Sequence, residues 1–335
     1  YMEYLAHQAG GLSDFMFAND PFQSNRERNW FEIKWFLYNL KYLHEISENS
    51  SFSFSFFGLD AKRNSLGFRT NRVDQIDFGE ERDLIKGDFK NFGFESRYLT
   101  NHSFFNTKSY LLLGVKYYNS YSQSVQGPGN SSKDANFNFD YVNFPNYVNQ
   151  SEYNYPNNNL AIFGENIFYI DEKLSITPGF RFENISTSLD GYYRKINLDA
   201  AGNTIYNERF DEKDTKKRKF LLLGLGLSYK NQGFEIYTNF SQNFRSVTFA
   251  DISIINPSYA INPSIDDEKG FTFDLGLRGN YKKIVSFDSS IFALIYRDRI
   301  GFIQKAFRDG NVKSERGNVG NAQITGIESL FDFDV

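Results

Sequence analysis

Cysteine is absent from the 335-residue chain. Its absence excludes a disulfide framework, a thiolate metal site and a cysteine nucleophile. Histidine is nearly as scarce, and His7, His44 and His102 are too scattered to form a metal-ligand or nucleophile motif. The pair Gly224 and Gly226 superficially resembles a dinucleotide-binding loop, but Tyr229 stands where the third glycine is needed, and the segment alternates as a strand does. The sequence therefore predicts neither an enzyme nor a resident metal or cofactor.

Long apolar runs are also missing, since no stretch of about 18 apolar residues exists to form a transmembrane helix. The opening YMEYLAHQAG has neither the basic region nor the apolar region of a signal peptide. An exported protein carries such a peptide, so we expect Tyr1 to lie downstream of the natural start. Net charge is only −4 and no basic stripe is present, which argues against a nucleic-acid partner.

Aromatic residues are abundant instead, with 37 Phe and 22 Tyr, although mean hydropathy is only −0.52. The reason is that apolar and polar residues alternate. Over 174–183, Leu, Ile, Pro and Phe alternate with Ser, Thr, Gly, Arg and Glu, and a period of two also runs through 51–56, 221–229 and 271–278. Such patterning is typical of strands with one apolar and one polar face.

Short and long connections alternate along the chain. Eleven candidate strands lie near 30–46, 51–63, 90–100, 107–120, 158–170, 174–187, 217–230, 234–245, 269–281, 285–303 and 318–335. Tight polar turns are predicted at Ser47–Ser50, Asn101–Asn106, Asp171–Lys173, Lys230–Gly233 and Lys282–Ile284. Long connections are predicted at 60–89, 121–157, 188–216, 246–268 and 304–317. Bacterial outer-membrane barrels show this asymmetry, because their periplasmic turns are short and their extracellular loops are long.

A soluble antiparallel sandwich would show the same alternation, but its strands usually have only about five or six residues. We therefore predict an all-β chain that forms part of a transmembrane, antiparallel up-and-down β-barrel in the bacterial outer membrane. Charges within the strands are interpreted as structural groups of the barrel lumen that pair across strands. They are Glu95, Arg97, Glu165, Arg181, Glu183, Asp274, Arg278 and Glu328.

Two arginine-bearing segments, one before the first candidate strand and one after the second, are candidates for ligand binding. Guanidinium groups match carboxylate and phosphate oxygens in pairs. We therefore predict an anion-binding rim at the extracellular mouth formed by Arg26, Arg28, Arg63, Arg69 and Arg72. A structural alternative is that nearby carboxylates neutralise these arginines, namely Asp74, Asp77, Glu80, Glu81 and Asp83. A further acidic run, Asp266 to Glu268, is interpreted as solvated loop charge.

Segments of the second half resemble the TonB-dependent outer-membrane receptors. They are LSITPGFRFE, IYTNFSQNFRSVTFADI, NPSIDDEKGFTFDLGLRG, FALIYRDRIGFI and GNVGNAQITGIE. The third departs mildly from the family form, which has Pro-Glu before the strand and Glu within it, where this chain has Asp267-Glu268 and Asp274. The first half, from GGLSDFMFANDPFQSNRERNWF to FFGLDAKRNSLGF, is similar to the ferric-dicitrate-type branch.

The resemblance implies that residues 1–335 are an internal part of a single 22-stranded barrel domain. The plug, the coupling box and the C-terminal strands are then expected outside this sequence, and the outermost strands are expected to have unpaired edges. It also implies energy-coupled import of a ferric chelate, with a TonB-type protein, membrane lipid and lipopolysaccharide as partners. Two alternatives remain open: a glycan or vitamin importer, for which the Tyr-rich 141–155 could supply stacking surfaces, and a passive porin or adhesin.

Overall fold

The computed structural model describes residues 1–6, 12–24, 26–69, 75–104, 106–248, 259–282, 284–307 and 312–334. Its strands are β1 (Met2–Leu5), β2 (Trp30–Ser47), β3 (Ser50–Gly67), β4 (Arg82–Phe104), β5 (Thr107–Gly129), β6 (Gln150–Tyr169), β7 (Leu174–Leu198), β8 (Thr204–Asn231), β9 (Phe234–Arg245), β10 (Tyr259–Ile261), β11 (Glu268–Tyr281), β12 (Val285–Ala306) and β13 (Val312–Phe333). A six-residue helix, α1 (Asp14–Asn19), precedes β2. Within these residues, no helix has the length and apolar character needed to cross a membrane.

The strands form a single sheet in which sequence neighbours lie side by side and antiparallel. The exception is β10, which passes beyond β11 and β12 and pairs in parallel with β13 over three residues. At the other end of the sheet, β1 covers only the first four residues of β2. Most of the outer edges of β2 and β13 therefore have no partner strand among the described residues. The predicted all-β, antiparallel up-and-down architecture is confirmed.

Cross-strand register gives the sheet an apolar outer face. Phe182 is directly opposite Leu221, and Phe180 is opposite Leu223, on neighbouring strands. Both leucines are about half exposed, at 53% and 52%. Successive side chains of a strand point to opposite faces of the sheet, so the polar residues that alternate with these apolar ones along the chain lie on the other face. We call that other face the lumen face. An apolar exposed face backed by a polar one is the arrangement of a membrane barrel wall.

Short connections are confirmed at the five predicted places, and the antiparallel order of the strands places them along one edge of the sheet. The connection predicted at Asn101–Asn106 is shorter than expected, because β4 continues to Phe104, and Phe105 and Lys283 lie outside the described residues. The turn between β8 and β9 shows why its residues suit the position. Gln232 and Gly233 adopt φ angles of 37° and 98°, and the second lies in a region that glycine enters without steric cost. Asn106 and Lys282 adopt similar positive φ angles at two other turns.

At the opposite edge the predicted strand limits are wrong, because the strands continue well beyond them. The connection predicted at 188–216 contracts to 199–203, and that at 304–317 contracts to 307–311. Those predicted at 60–89 and 121–157 contract to 68–81 and 130–149, while 246–268 contains β10.

The hydrogen-bonded ladder continues beyond the segments in which apolar and polar residues alternate, because backbone pairing does not require an apolar face. Polar pairs such as Lys213 with Asp190, 2.9 Å apart, then lie across neighbouring strands. The short strands β1 and β10 were not among the eleven predicted.

Candidate ligand site at the mouth

The edge of the sheet opposite the tight turns carries the long connections, and we call it the mouth. At the mouth, Arg28 holds three separate chain segments together. Its Nε and Nη2 donate to the two carboxylate oxygens of Asp77 at 2.8 and 2.5 Å. Its remaining hydrogens reach the carbonyl oxygens of Glu80 at 3.1 Å and Ser131 at 2.7 Å. The side chain is buried, so its donors serve the protein itself.

Arg26 is also buried, and it lies beside the same acidic segment. Its Nη1 donates to the carbonyl oxygen of Gln75 at 3.1 Å, and its guanidinium lies 5.2 Å from the centre of the Phe68 ring. Burial acts to raise the pKa of Asp77, but hydrogen bonds from Arg28 and the Gly79 N–H outweigh it, and the pKa lies below its usual value. For Arg28, the geometry is that of the structural alternative, in which acids neutralise the arginines.

The three arginines from the second segment differ from one another. Arg63 is exposed on the lumen face of β3, and its guanidinium lies 5.6 Å from the Phe89 ring. No carboxylate in the described part of the chain pairs with it. Arg69 is half exposed and donates to Asp83 at 3.2 Å. Arg72 lies outside the described residues, as does Asp74.

Arg82, which was not among the predicted site residues, is the most deeply buried arginine at the mouth. It is fully buried and donates to the carbonyl oxygens of Arg28, Asn130 and Asp134 at 3.1, 2.9 and 2.8 Å. It also donates to the side chains of Asn130 and Ser132. Nothing local in the sequence marks this residue, because all of its partners lie at least 48 positions away.

Asp83 is the buried acceptor of the same region. Its carboxylate accepts hydrogen bonds from Gln126 at 3.0 Å and from the Tyr147 hydroxyl at 2.8 Å. Burial, and then the nearby Asp83 carboxylate, raise the pKa of Tyr147 above its ordinary value. The hydroxyl therefore stays protonated and holds loop 130–149 against β4 and β5.

The acidic run Asp266 to Glu268 follows β10 and was interpreted as solvated loop charge. That interpretation is wrong for Asp267 and Glu268, which are buried. Asp267 is buried and accepts from Arg218 Nε at 2.7 Å and from the Val247 N–H at 2.8 Å. Glu268 is buried and accepts from Arg245 at 2.9 Å and from the Ile300 N–H at 2.8 Å. Both carboxylates have cationic partners on strands β8 and β9, which the linear sequence does not reveal.

Deeper in the lumen, several strand charges neutralise one another. Glu95 pairs with Arg97 on its own strand at 2.6 Å and with Lys116 across strands at 3.8 Å. Arg181 pairs with Glu183 along β7 at 2.5 Å. Arg278 pairs with Glu235 across strands at 2.9 Å. The predicted structural role is confirmed for these residues, although two of the pairs run along a strand. Within the described residues, no group of three His, Asp or Glu side chains converges as a metal site.

Comparison of the sequence with protein families shows which family this chain belongs to. The model of the TonB dependent receptor-like β-barrel matches residues 4–334. No curated protein matches the chain by sequence.

Among solved structures, the ferric citrate transporter FecA in its unliganded form is 17% identical, with a TM-score of 0.69 over 97% of this chain and 43% of its own. The ferric yersiniabactin uptake receptor FyuA from Yersinia pestis is 13% identical, with a TM-score of 0.67 over 93% and 41%. The siderophore receptor PiuA from Acinetobacter baumannii is 12% identical, with a TM-score of 0.66 over 92% and 45%.

At these identities the structures show the fold, and this chain spans less than half the length of each. The family model, by contrast, covers nearly the whole sequence. The chain therefore belongs to the TonB-dependent receptor β-barrel family of the bacterial outer membrane.

Proposed function

We propose that this chain is part of the single barrel domain of an energy-coupled transporter that imports a ferric chelate. A TonB-type inner-membrane protein would supply the energy. Family membership supports import, and the similar structures include a ferric citrate transporter and a ferric yersiniabactin receptor. The barrel would bind and pass its ligand without making or breaking a covalent bond.

The exposed guanidinium of Arg63 is the observation that carries the ligand proposal. It lies on the lumen face near the mouth, stacked on Phe89, and it has no carboxylate partner in the described residues. An anionic chelate offers the carboxylate oxygens that a guanidinium binds in pairs. Arg69 and Arg72 belong to the same proposed rim, whereas the buried Arg26 and Arg28 would act by holding its shape.

Radiolabelled ferric citrate binding to intact cells tests this proposal. A charge-assisted hydrogen bond shielded from water contributes about 1.5–3 kcal/mol, and less where it is exposed. We therefore expect Arg63→Ala to weaken binding roughly tenfold, and the combined replacement of Arg63, Arg69 and Arg72 to weaken it further. Lys62→Ala is the matched control, because Lys62 is the next residue on β3, lies on the outer face and pairs with Asp88. Unchanged affinity in the triple variant, at normal surface abundance, leaves only the structural role.

Energy coupling needs a separate measurement. Uptake of labelled iron should stop in cells that lack the TonB-type protein, while binding at the surface persists. Uptake that continues without it would contradict active transport and support a passive barrel.

The glycan alternative depended on tyrosines of 141–155 as open stacking surfaces. Tyr153 and Tyr155 are buried and stack on each other with ring centres 6.0 Å apart. The Tyr153 hydroxyl donates to Glu212 at 2.6 Å. These two rings are therefore part of the packing of β6 against β7 and β8 and are closed to a sugar, whereas Tyr141 of the same segment is 39% exposed.

We also infer contacts with the surrounding membrane. The apolar outer face, which includes Leu221 and Leu223, suits lipid chains. Directly above them on β8, the exposed Lys217 and Lys219 lie on the same face, opposite Ser186 and Asn184. Their charges suit the phosphates of lipopolysaccharide.

A further inference from the structure

Two adjacent residues of β4 fasten the two ends of loop 130–149, which joins β5 to β6. Arg82 holds the beginning of the loop, and one of its donors reaches the carbonyl oxygen of Asp134 at 2.8 Å. Asp83 holds the end of the loop, because its carboxylate accepts a hydrogen bond from the Tyr147 hydroxyl at 2.8 Å. The first contact uses a guanidinium that stays charged at physiological pH, whereas the second uses a carboxylate that can take up a proton.

The Asp83 carboxylate is buried with little charge to compensate it. Its side chain is only 4% exposed, and Gln126 of β5 donates to both of its oxygens at 3.0 Å, but that amide is neutral. The cationic partner Arg69 donates one hydrogen bond at 3.2 Å from a side chain that is 47% exposed. Water therefore screens much of the guanidinium charge. Removal of a carboxylate from water disfavours its charged form.

Asp77, at the same mouth, has the opposite arrangement. Both of its oxygens accept hydrogen bonds from the buried Arg28, at 2.8 and 2.5 Å, and its pKa lies below the usual value. For Asp83, burial outweighs the hydrogen bonds and the charge of Arg69, and the pKa lies above the usual value. The two carboxylates therefore respond to acid in opposite directions.

The other groups around Asp83 do not titrate between neutral and mildly acidic pH. The ionisable residues that face or adjoin it are Arg69, Glu81, Arg82 and Tyr147. Its cross-strand neighbours are Gly67 of β3 and Pro128 of β5, which carry no ionisable group. Tyr147 keeps its proton, because burial and the Asp83 charge raise its pKa. Of the groups that contact loop 130–149 here, Asp83 is therefore the one whose charge changes as pH falls from neutral.

We propose that Asp83 is a proton-operated latch, whose protonation tightens loop 130–149 onto β4 and β5 and whose ionisation loosens it. The neutral carboxyl still accepts from Tyr147 and Gln126 but avoids the cost of burying a charge. Opening of the loop exposes the group to water, where the charged form is no longer penalised. Between the pKa of Asp83 in the open loop and its higher pKa in the closed loop, the opening constant therefore falls by up to about tenfold for each pH unit of acidification.

Hydrogen exchange of residues 130–149 in the intact receptor, without ligand, tests the latch from about pH 7.5 to about pH 4. Each rate is divided by that of an unfolded peptide of the same sequence, which removes the intrinsic effect of pH on exchange. Wild-type protection should rise as pH falls, by up to about tenfold per pH unit. Asp83→Asn is uncharged at every pH and keeps an acceptor oxygen, so its protection should be independent of pH and close to the wild-type value in acid.

Arg69→Met gives a second test that leaves the buried carboxyl in place. It removes the cation that stabilises the ionised form of Asp83, so the rise in protection should begin at a higher pH than in the wild type. Lys62→Met is the matched control, because Lys62 is also an exposed cation near the end of β3 but pairs with Asp88. Its protection profile should match the wild type.

Wild-type protection that stays constant or falls on acidification overturns the latch, as does a wild-type pH profile in Asp83→Asn. If that variant does not fold, Arg69→Met decides: a profile shifted to higher pH supports the latch, and an unshifted profile overturns it. All of these measurements are made without ligand. Failure of the latch therefore leaves the proposed import of a ferric chelate untouched, and failure of import leaves the latch untouched.

Discussion

Replacement of Arg82 by methionine should loosen the extracellular mouth while leaving the barrel wall folded. Methionine approximates the length of the arginine side chain but removes every donor. Arg82 is fully buried and bonds to Arg28, Asn130, Ser132 and Asp134, so its loss releases the segment before β2 and the loop after β5. The turns at the opposite edge of the sheet contact none of these residues.

The expected magnitude follows from the bonds that are lost. A hydrogen bond from a charged donor contributes about 1.5–3 kcal/mol, and Arg82 makes five of them. Several of the acceptors can be rehydrated when the loop opens, because Asp134 is largely exposed. We therefore expect a net loss of about 3 kcal/mol in the free energy of local opening, which corresponds to roughly a hundredfold change in the opening equilibrium.

Hydrogen exchange of residues 130–149 in the intact receptor measures this opening directly. Exchange there should become roughly a hundredfold faster in Arg82→Met, while the lower halves of β4 and β5 keep wild-type protection. Arg63→Met serves as the control, because it removes an exposed arginine from the same mouth. Protection of 130–149 within about twofold of wild type would show that Arg82 does not hold the loop.

Further predictions concern topology, pH and packing. Asn203→Cys should react with an impermeant maleimide on whole cells and Asn231→Cys should not, since the two lie at opposite edges of the sheet; the reverse pattern would contradict the orientation. The pKa of Asp77 is lowered in the folded state, so the carboxylate stabilises the mouth at neutral pH, and this stabilisation is lost as pH falls through the folded pKa. Residues 75–81 should therefore lose their protection from hydrogen exchange only below the usual pKa range of aspartate. Gly270→Ala would place a methyl against the Ile295 carbonyl and should lower the heat-modifiable folded fraction, whereas Gly224→Ala meets its nearest atom at 3.7 Å and should not; equal folded fractions would contradict this packing.

The sequence determined the strands that cross the membrane, because the lipid requirement is local and repeats every two residues. Leu221, Leu223, Phe180 and Phe182 all lie on the exposed apolar face that their alternation predicts. The positions of the tight turns could also be predicted from the sequence, because a short polar segment between two long strands can only join them as antiparallel neighbours. The segments that resemble the TonB-dependent receptors then indicated the type of barrel, although no contact between distant residues was known.

The mouth was decided by tertiary structure. Above the membrane both faces of a strand meet water, so the alternation disappears and the ends of β7 and β8 could not be located from it. Whether each arginine is buried and paired also depends on residues distant in the sequence. Arg28 is hydrogen-bonded to Asp77 and Ser131, whereas Arg63 is exposed. Charge counts along the chain treat these arginines alike, because burial and pairing arise only when segments about 50 to 100 residues apart are brought together by the sheet.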